Sequence, residues 1–188
     1  MNLDDGKLLV NIARSSISSM FSGDTVEIPK IDIGSGVFVN ILMKDGEFIA
    51  SRGVTELKRS IGETVSKVAK MAAFNETRPI KQKDLNNMLI EVCILNNPEL
   101  LIVKDHKDYF NKIELGKHGV MVECEGIIDL LLPRVAIDHN LDVENLLSSL
   151  CDKAGLLAET WKEVEACKIF IFTVEIFKEI DIGVVERG

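Results

Sequence analysis

Arg52 and Gly53 are the residues in this sequence best suited to recognition chemistry. A guanidinium presents a rigid fork of donors that matches a carboxylate or phosphate, and an adjacent glycine lets a ligand come close to backbone amides. An ordinary ion pair at the end of a hairpin would use the same arginine, and the two readings weigh about equally. His118, between Lys117 and Gly119, could exchange a proton near neutral pH, although a turn histidine bonded to backbone is the commoner arrangement. His106 and His139 have no partner at ligand spacing, so no structural metal is expected, and no cofactor either. Gly116, Gly119 and Gly126 read as turn glycines, because no Lys-Ser or Lys-Thr pair opens a helix after them as a phosphate loop requires. Cys93, Cys124, Cys151 and Cys167 stand far apart in apolar surroundings without a C-x-x-C pair, and read as buried thiols of a reducing cytoplasm.

Composition narrows the classes of partner. The chain has 188 residues and a net charge of −8, with 46% apolar and 28% charged residues, which is the balance of a folded domain rather than a disordered chain. A phosphate-coating protein needs a basic stripe, whereas Lys104, His106, Lys107, Lys112 and Lys117 are interleaved with Asp105, Asp108 and Glu114, so nucleic acid is disfavoured. Lone Trp161 and Tyr109 offer no stacking platform for single strands. The acidic start does not resemble a secretion signal and no window is apolar enough to span a bilayer, so a cytoplasmic protein with no membrane partner is expected.

The elements that would position these residues follow from apolar spacing and turn chemistry. Leu9, Ile12, Ala13, Ile17, Met20 and Phe21 predict an amphipathic helix over 7–21, ended by Ser22-Gly23-Asp24, and Pro29 with Ile31 and Ile33 an extended loop after it. Residues 36–43 and 47–51 predict a hairpin turning at Asp45-Gly46. Ser60 and Glu63 have capping-box spacing ahead of a helix to Phe74, and Ile90, Val92 and Ile94 mark a buried strand broken at Asn96-Asn97-Pro98. Residues 105–112 suggest a loop or one helical turn. A second hairpin pairs 119–124 with 127–132; Pro133 opens a short helix, Asp142 caps another ending at Gly155, and 168–178 reads as one long strand. This order predicts an α+β fold, with a largely antiparallel or mixed sheet and flanking helices, in a single domain over 1–188 without a flexible linker.

Several blocks resemble the AMMECR domain family: Gly36-Val37-Phe38-Val39, Val68 to Phe74, Ile90-Glu91-Val92, Gly116-Lys117-His118-Gly119, Leu131-Leu132-Pro133 with Val135-Ala136, and Cys151 to Leu156 followed by Trp161. The family signature Leu-Arg-Gly-Cys-Ile-Gly is degenerate here, reading Ser51-Arg52-Gly53-Val54-Thr55-Glu56, and the segment after Phe74 is altered to Asn75-Glu76-Thr77-Arg78-Pro79-Ile80. The resemblance implies two closely joined subdomains with a cleft near the signature, and no settled activity. A thiolate beside an arginine would suit nucleophilic catalysis, but Val54 cannot supply one.

The expected function is therefore a non-catalytic or weakly catalytic protein that binds a small anionic ligand or a partner protein in the cleft. Arg52, Gly53, Arg78 and His118 are the ligand-binding candidates, with no catalytic residue assigned. The rival is an enzyme in a modification pathway linked by the resemblance to a Memo-type protein and a radical S-adenosylmethionine enzyme, with Arg52 orienting an anionic substrate and His118 or Arg78 assisting. A monomer or weak dimer is expected.

Overall fold

Asn2 starts the first helix, its side chain accepting from the Asp5 amide at 2.8 Å, with Asp4 and Asp5 in the first turn where the helix dipole favours negative charge. Helix α1 accordingly spans Leu3–Ser22, four residues earlier than the apolar stripe indicated, and Gly23 closes it at φ 77°. The computed structural model describes residues 1–29, 36–55, 57 and 59–188; Ile31 and Ile33 of the expected loop, and Glu56, lie outside them.

Strands β1 (Gly36–Met43) and β2 (Phe48–Val54) form the expected hairpin, with Gly46 at φ 91° in the turn. Helix α2 (Ile61–Ala73) begins at Ser60, whose hydroxyl accepts from the Glu63 amide. Strand β3 (Met88–Leu95) is buried along nearly its whole length. The chain then passes through the short β4 (Glu99–Leu100), helix α3 (Tyr109–Lys112), the hairpin β5 (Gly119–Cys124) and β6 (Ile127–Leu131), α4 (Pro133–Asp138) and α5 (Val143–Lys153). Glu125 at φ 51° and Gly126 at φ 82° make the second hairpin turn. The apolar run expected to be one long strand is two: β7 (Cys167–Phe172) and β8 (Val174–Asp181), followed by β9 (Val184–Arg187). They belong to different sheets, ordered β2-β1-β3-β8-β9 and β4-β7-β5-β6, so the alternation continues through Thr173 while the pairing partners change.

The result is an α+β fold with two compact units, one formed by 1–95 with 175–188 and the other by 96–174. In the first, α1 and α2 cover one face of the five-stranded sheet, burying Leu9, Ile17, Val65 and Ala69 against Val37, Val39, Ile41 and Val92. An Ile12 methyl lies 3.5 Å from where a Gly62 Cβ would stand, and Ser16 donates to Ser66 at 2.7 Å. The two helices therefore run side by side in the same direction, and their C-terminal ends meet at one end of the unit.

In the second unit, Trp161 is fully buried with Tyr109, Leu146, Leu150 and Ile169, and its indole donates to Ser148 at 3.2 Å. Cys124 and Cys167 stand opposite each other in the β5–β7 ladder, with Cα atoms 4.6 Å apart, and form a disulfide. This corrects the reading of four buried thiols, which holds only for Cys93 and Cys151. The bridge joins residues far apart in sequence whose closeness depends on strand register, and it removes the thiol argument for a reducing compartment. Among the described residues no helix is long and apolar enough to cross a membrane.

Candidate functional site

Strand alternation determines where Arg52 points. It pairs with Val39, and its neighbours Ala50 and Val54 pair with Ile41 and Val37, all three partners belonging to the core under the helices. Arg52 thus projects on the helix-covered face at the sheet edge, where α1 contributes Met20 and the end of α2 contributes Lys70, Met71 and Phe74, with Glu76 following. These six residues line an open depression of about 480 Å³ within the first unit.

The chain turn after α2 leaves Phe74 facing outward. The Phe74 amide donates to Lys70 (3.0 Å), Ile80 donates back to Ala73 (2.8 Å), and the buried Asn75 side chain donates to the Ile49 carbonyl (3.0 Å). Asn75 is therefore anchored inward while Phe74 is 76% exposed. Lys70 lies in the last turn of α2, where a cation is favoured by the helix dipole. Arg52 donates from Nη1 to the neighbouring Ser51 carbonyl at 2.9 Å, and neither Arg52 nor Lys70 has an ion-pair partner among the described residues. The depression consequently combines two cations without an ion-pair partner among the described residues, one acid and three large apolar side chains.

The other expected residues lie elsewhere. Gly53 is on the opposite face of β2 from Arg52, pressed under the Phe38 ring: a Cβ there would fall 2.3 Å from Phe38 Cγ. Its small size thus admits an aromatic ring. Arg78 pairs with Glu47 at 2.8 Å and lines a separate depression of about 270 Å³ with Lys81 and Lys83. His118 is in the second unit, its Nδ1 accepting from the Glu114 amide at 3.1 Å, which places the proton of the neutral ring on Nε2. Lys117, hydrogen-bonded to Glu114 at 2.7 Å, holds that carboxyl below its ordinary value, with a smaller contribution from His118.

Cys93, the cysteine of the first unit, does not take the place of Val54. Cys93 pairs across Phe38, in the row of Gly53 and on the face of the sheet away from Val54. It belongs instead to a buried group that sequence reading missed: Asn40 Nδ2 donates to Glu91 Oε1 at 2.6 Å and approaches Cys93 Sγ at 3.7 Å, and the thiol lies 3.5 Å from the same carboxylate oxygen. Asn40 Oδ1 has no hydrogen-bond partner among the described residues. The available signal was the presence of Asn40 and Glu91 inside otherwise apolar strands. Among the described residues no group of three or more His, Cys, Asp or Glu side chains could hold a metal ion.

The AMMECR1 family model matches residues 10–177. A protein of Nanoarchaeum equitans is 32% identical over 178 residues, covering 91% of this chain and 98% of its own. One from Sulfolobus acidocaldarius is 37% identical, over 96% of this chain and 84% of its own. The crystal structure of an uncharacterized protein from Pyrococcus horikoshii superposes with a TM-score of 0.88 at 29% identity, covering 100% of this chain and 98% of that one.

Proposed function

The chain belongs to the AMMECR1 family, and from that premise we propose that it is a binding protein that recognises an anionic group through Arg52 and Lys70. The observation that carries this reading is the state of the Arg52 guanidinium: exposed, spending one donor on the adjacent carbonyl, and aimed into a depression that holds a second cation without a partner among the described residues. A guanidinium has five donors, so several remain for a carboxylate or phosphate. Gly53 serves the site indirectly, since the Phe38 ring beneath it braces the strand that carries Arg52.

Val54 in the thiol position favours binding over thiolate chemistry, and Cys93, the cysteine of the first unit, lies on the other face of the sheet. The enzymatic alternative is not supported by a shared site, because Arg78 is engaged with Glu47 and lines a different depression.

The test is native mass spectrometry of protein isolated gently from its own cells, comparing wild type with Arg52→Ala. An anionic adduct, small molecule or polypeptide, carried by the wild type and lost from the variant is the expected result. Identical spectra for the two folded proteins overturn the reading.

A further inference from the structure

We infer that the anionic group belongs to a polypeptide: an acidic amphipathic segment of a partner protein, lying across the ends of α1 and α2 with its apolar side chains on Met20, Met71 and Phe74. This rests on the reading of Arg52 given above.

A site built for a free small anion surrounds it with converging donors. Here the donors are two side chains, while the apolar residues beside them are exposed by 40% (Met20), 45% (Met71) and 76% (Phe74). An exposed aromatic flanked by methionines, with one arginine and one lysine beside them, is the composition of a protein-contact surface, where aromatic, Met and Arg side chains are enriched. Methionine is unbranched and polarizable and adapts to varied apolar partners.

The placement of the helices supplies the shape. With α1 and α2 side by side and their ends together, Met20 of α1 stands beside Met71 of α2 and the Phe74 that caps it, giving apolar contacts from both helix ends to one segment laid across them. Charge selects the occupant. Arg52 and Lys70 have no ion-pair partner among the described residues, so a segment with Glu or Asp flanking its apolar stripe gains two charge-assisted contacts from them, whereas a basic segment is repelled by both. A single acid at the rim, Glu76, repels an acidic segment less strongly than the two cations attract it.

The test uses the full chain in its own cells with photo-methionine in place of methionine, so that Met20 and Met71 cross-link whatever lies on them, and the captured segment is sequenced. A synthetic peptide of that segment is then titrated by fluorescence anisotropy against wild type, Phe74→Ala and Arg52→Ala, with circular dichroism confirming that each variant is folded. The expected segment has more acidic than basic residues and apolar residues at three-and-four spacing, and its affinity falls about tenfold in each variant and further as salt is raised. Cross-links from Met20 and Met71 confined to a second copy of this chain, to a basic segment, or to nothing overturn the inference. If Arg52→Ala loses the adduct seen in native mass spectrometry while Phe74→Ala retains it, the anion reading stands and the peptide falls. If Phe74→Ala weakens the peptide and Arg52→Ala does not, the Arg52 reading falls with it.

Discussion

Arg14 grips Glu179 at two points, its Nε donating to Oε1 at 2.6 Å and its Nη2 to the other carboxylate oxygen, with the Glu179 side chain fully buried. The remaining donors reach the carbonyls of Leu85 (3.1 Å) and Met88 (2.8 Å), and the Ile90 amide donates to Glu179 Oε2 at 2.9 Å. One side chain of α1 is thereby bound to both β3 and β8. Removing either partner leaves the other charge buried and unpaired. Arg14→Ala is expected to cost about 3–5 kcal/mol in urea denaturation, and Arg14→Lys to recover only part of that, because an ammonium cannot reproduce the fork. A loss below about 1 kcal/mol, the range of an exposed pair, would contradict the network.

Gly53→Ala is expected to destabilise by about 1–3 kcal/mol, the usual cost of overpacking, since the new methyl would collide with the Phe38 ring. The collision is specific, so a Phe38→Ala background should absorb much of it. A double-mutant cycle in which the two losses simply add would show that Gly53 matters for another reason.

The disulfide closes a loop with a sequence separation of 43 residues. Chain-entropy arguments value such a loop at about 4 kcal/mol. Reductant should therefore lower the denaturation midpoint, and Cys167→Ala should abolish that sensitivity. Denatured without reductant, the protein should titrate as two thiols, those of Cys93 and Cys151; four reactive thiols would refute the bridge.

Alkaline pH should weaken the second unit. Burial pushes the Cys151 thiol above its ordinary 9.0, aided by Asp152 and Glu159 and opposed by a hydrogen bond from the Trp161 backbone. Burial likewise pushes Tyr109 above 10.0. Both groups stay neutral in the folded state at pH values where the unfolded chain ionises. Their contribution is complete below the unfolded values and is lost as pH climbs through the folded ones. Denaturation midpoints should decline above pH 9, less steeply in Cys151→Ala; a flat profile to pH 11 would contradict this.

Local signals marked the hairpin turns at Asp45-Gly46 and Glu125-Gly126, the caps at Ser60 and Asp142, and the left-handed stop at Gly155, because each depends on a few adjacent residues. Arg52 was legible for the same reason. Its neighbours in space were not: Met20 comes from one helix and Lys70, Met71 and Phe74 from another, and apolar spacing distinguishes a buried stripe from an exposed helix end only after the helices are packed. The exchange of sheets at Thr173 and the Cys124–Cys167 pairing likewise depend on long-range register, which carries no mark in the residues themselves.

The polypeptide leaves the first unit after Leu95 and re-enters it at Glu175, and beside those points the Asn96 amide donates to the Thr173 carbonyl at 3.0 Å and its side chain to the Thr173 hydroxyl at 2.7 Å. The segment 96–174 is thus a cassette inserted into a host whose own chain is interrupted only once. Its two ends are already neighbours, the arrangement that tolerates grafting, so replacement of the cassette as one piece is expected to leave the host folded, whereas a cut anywhere in β1 or β3 would sever the host's central ladder.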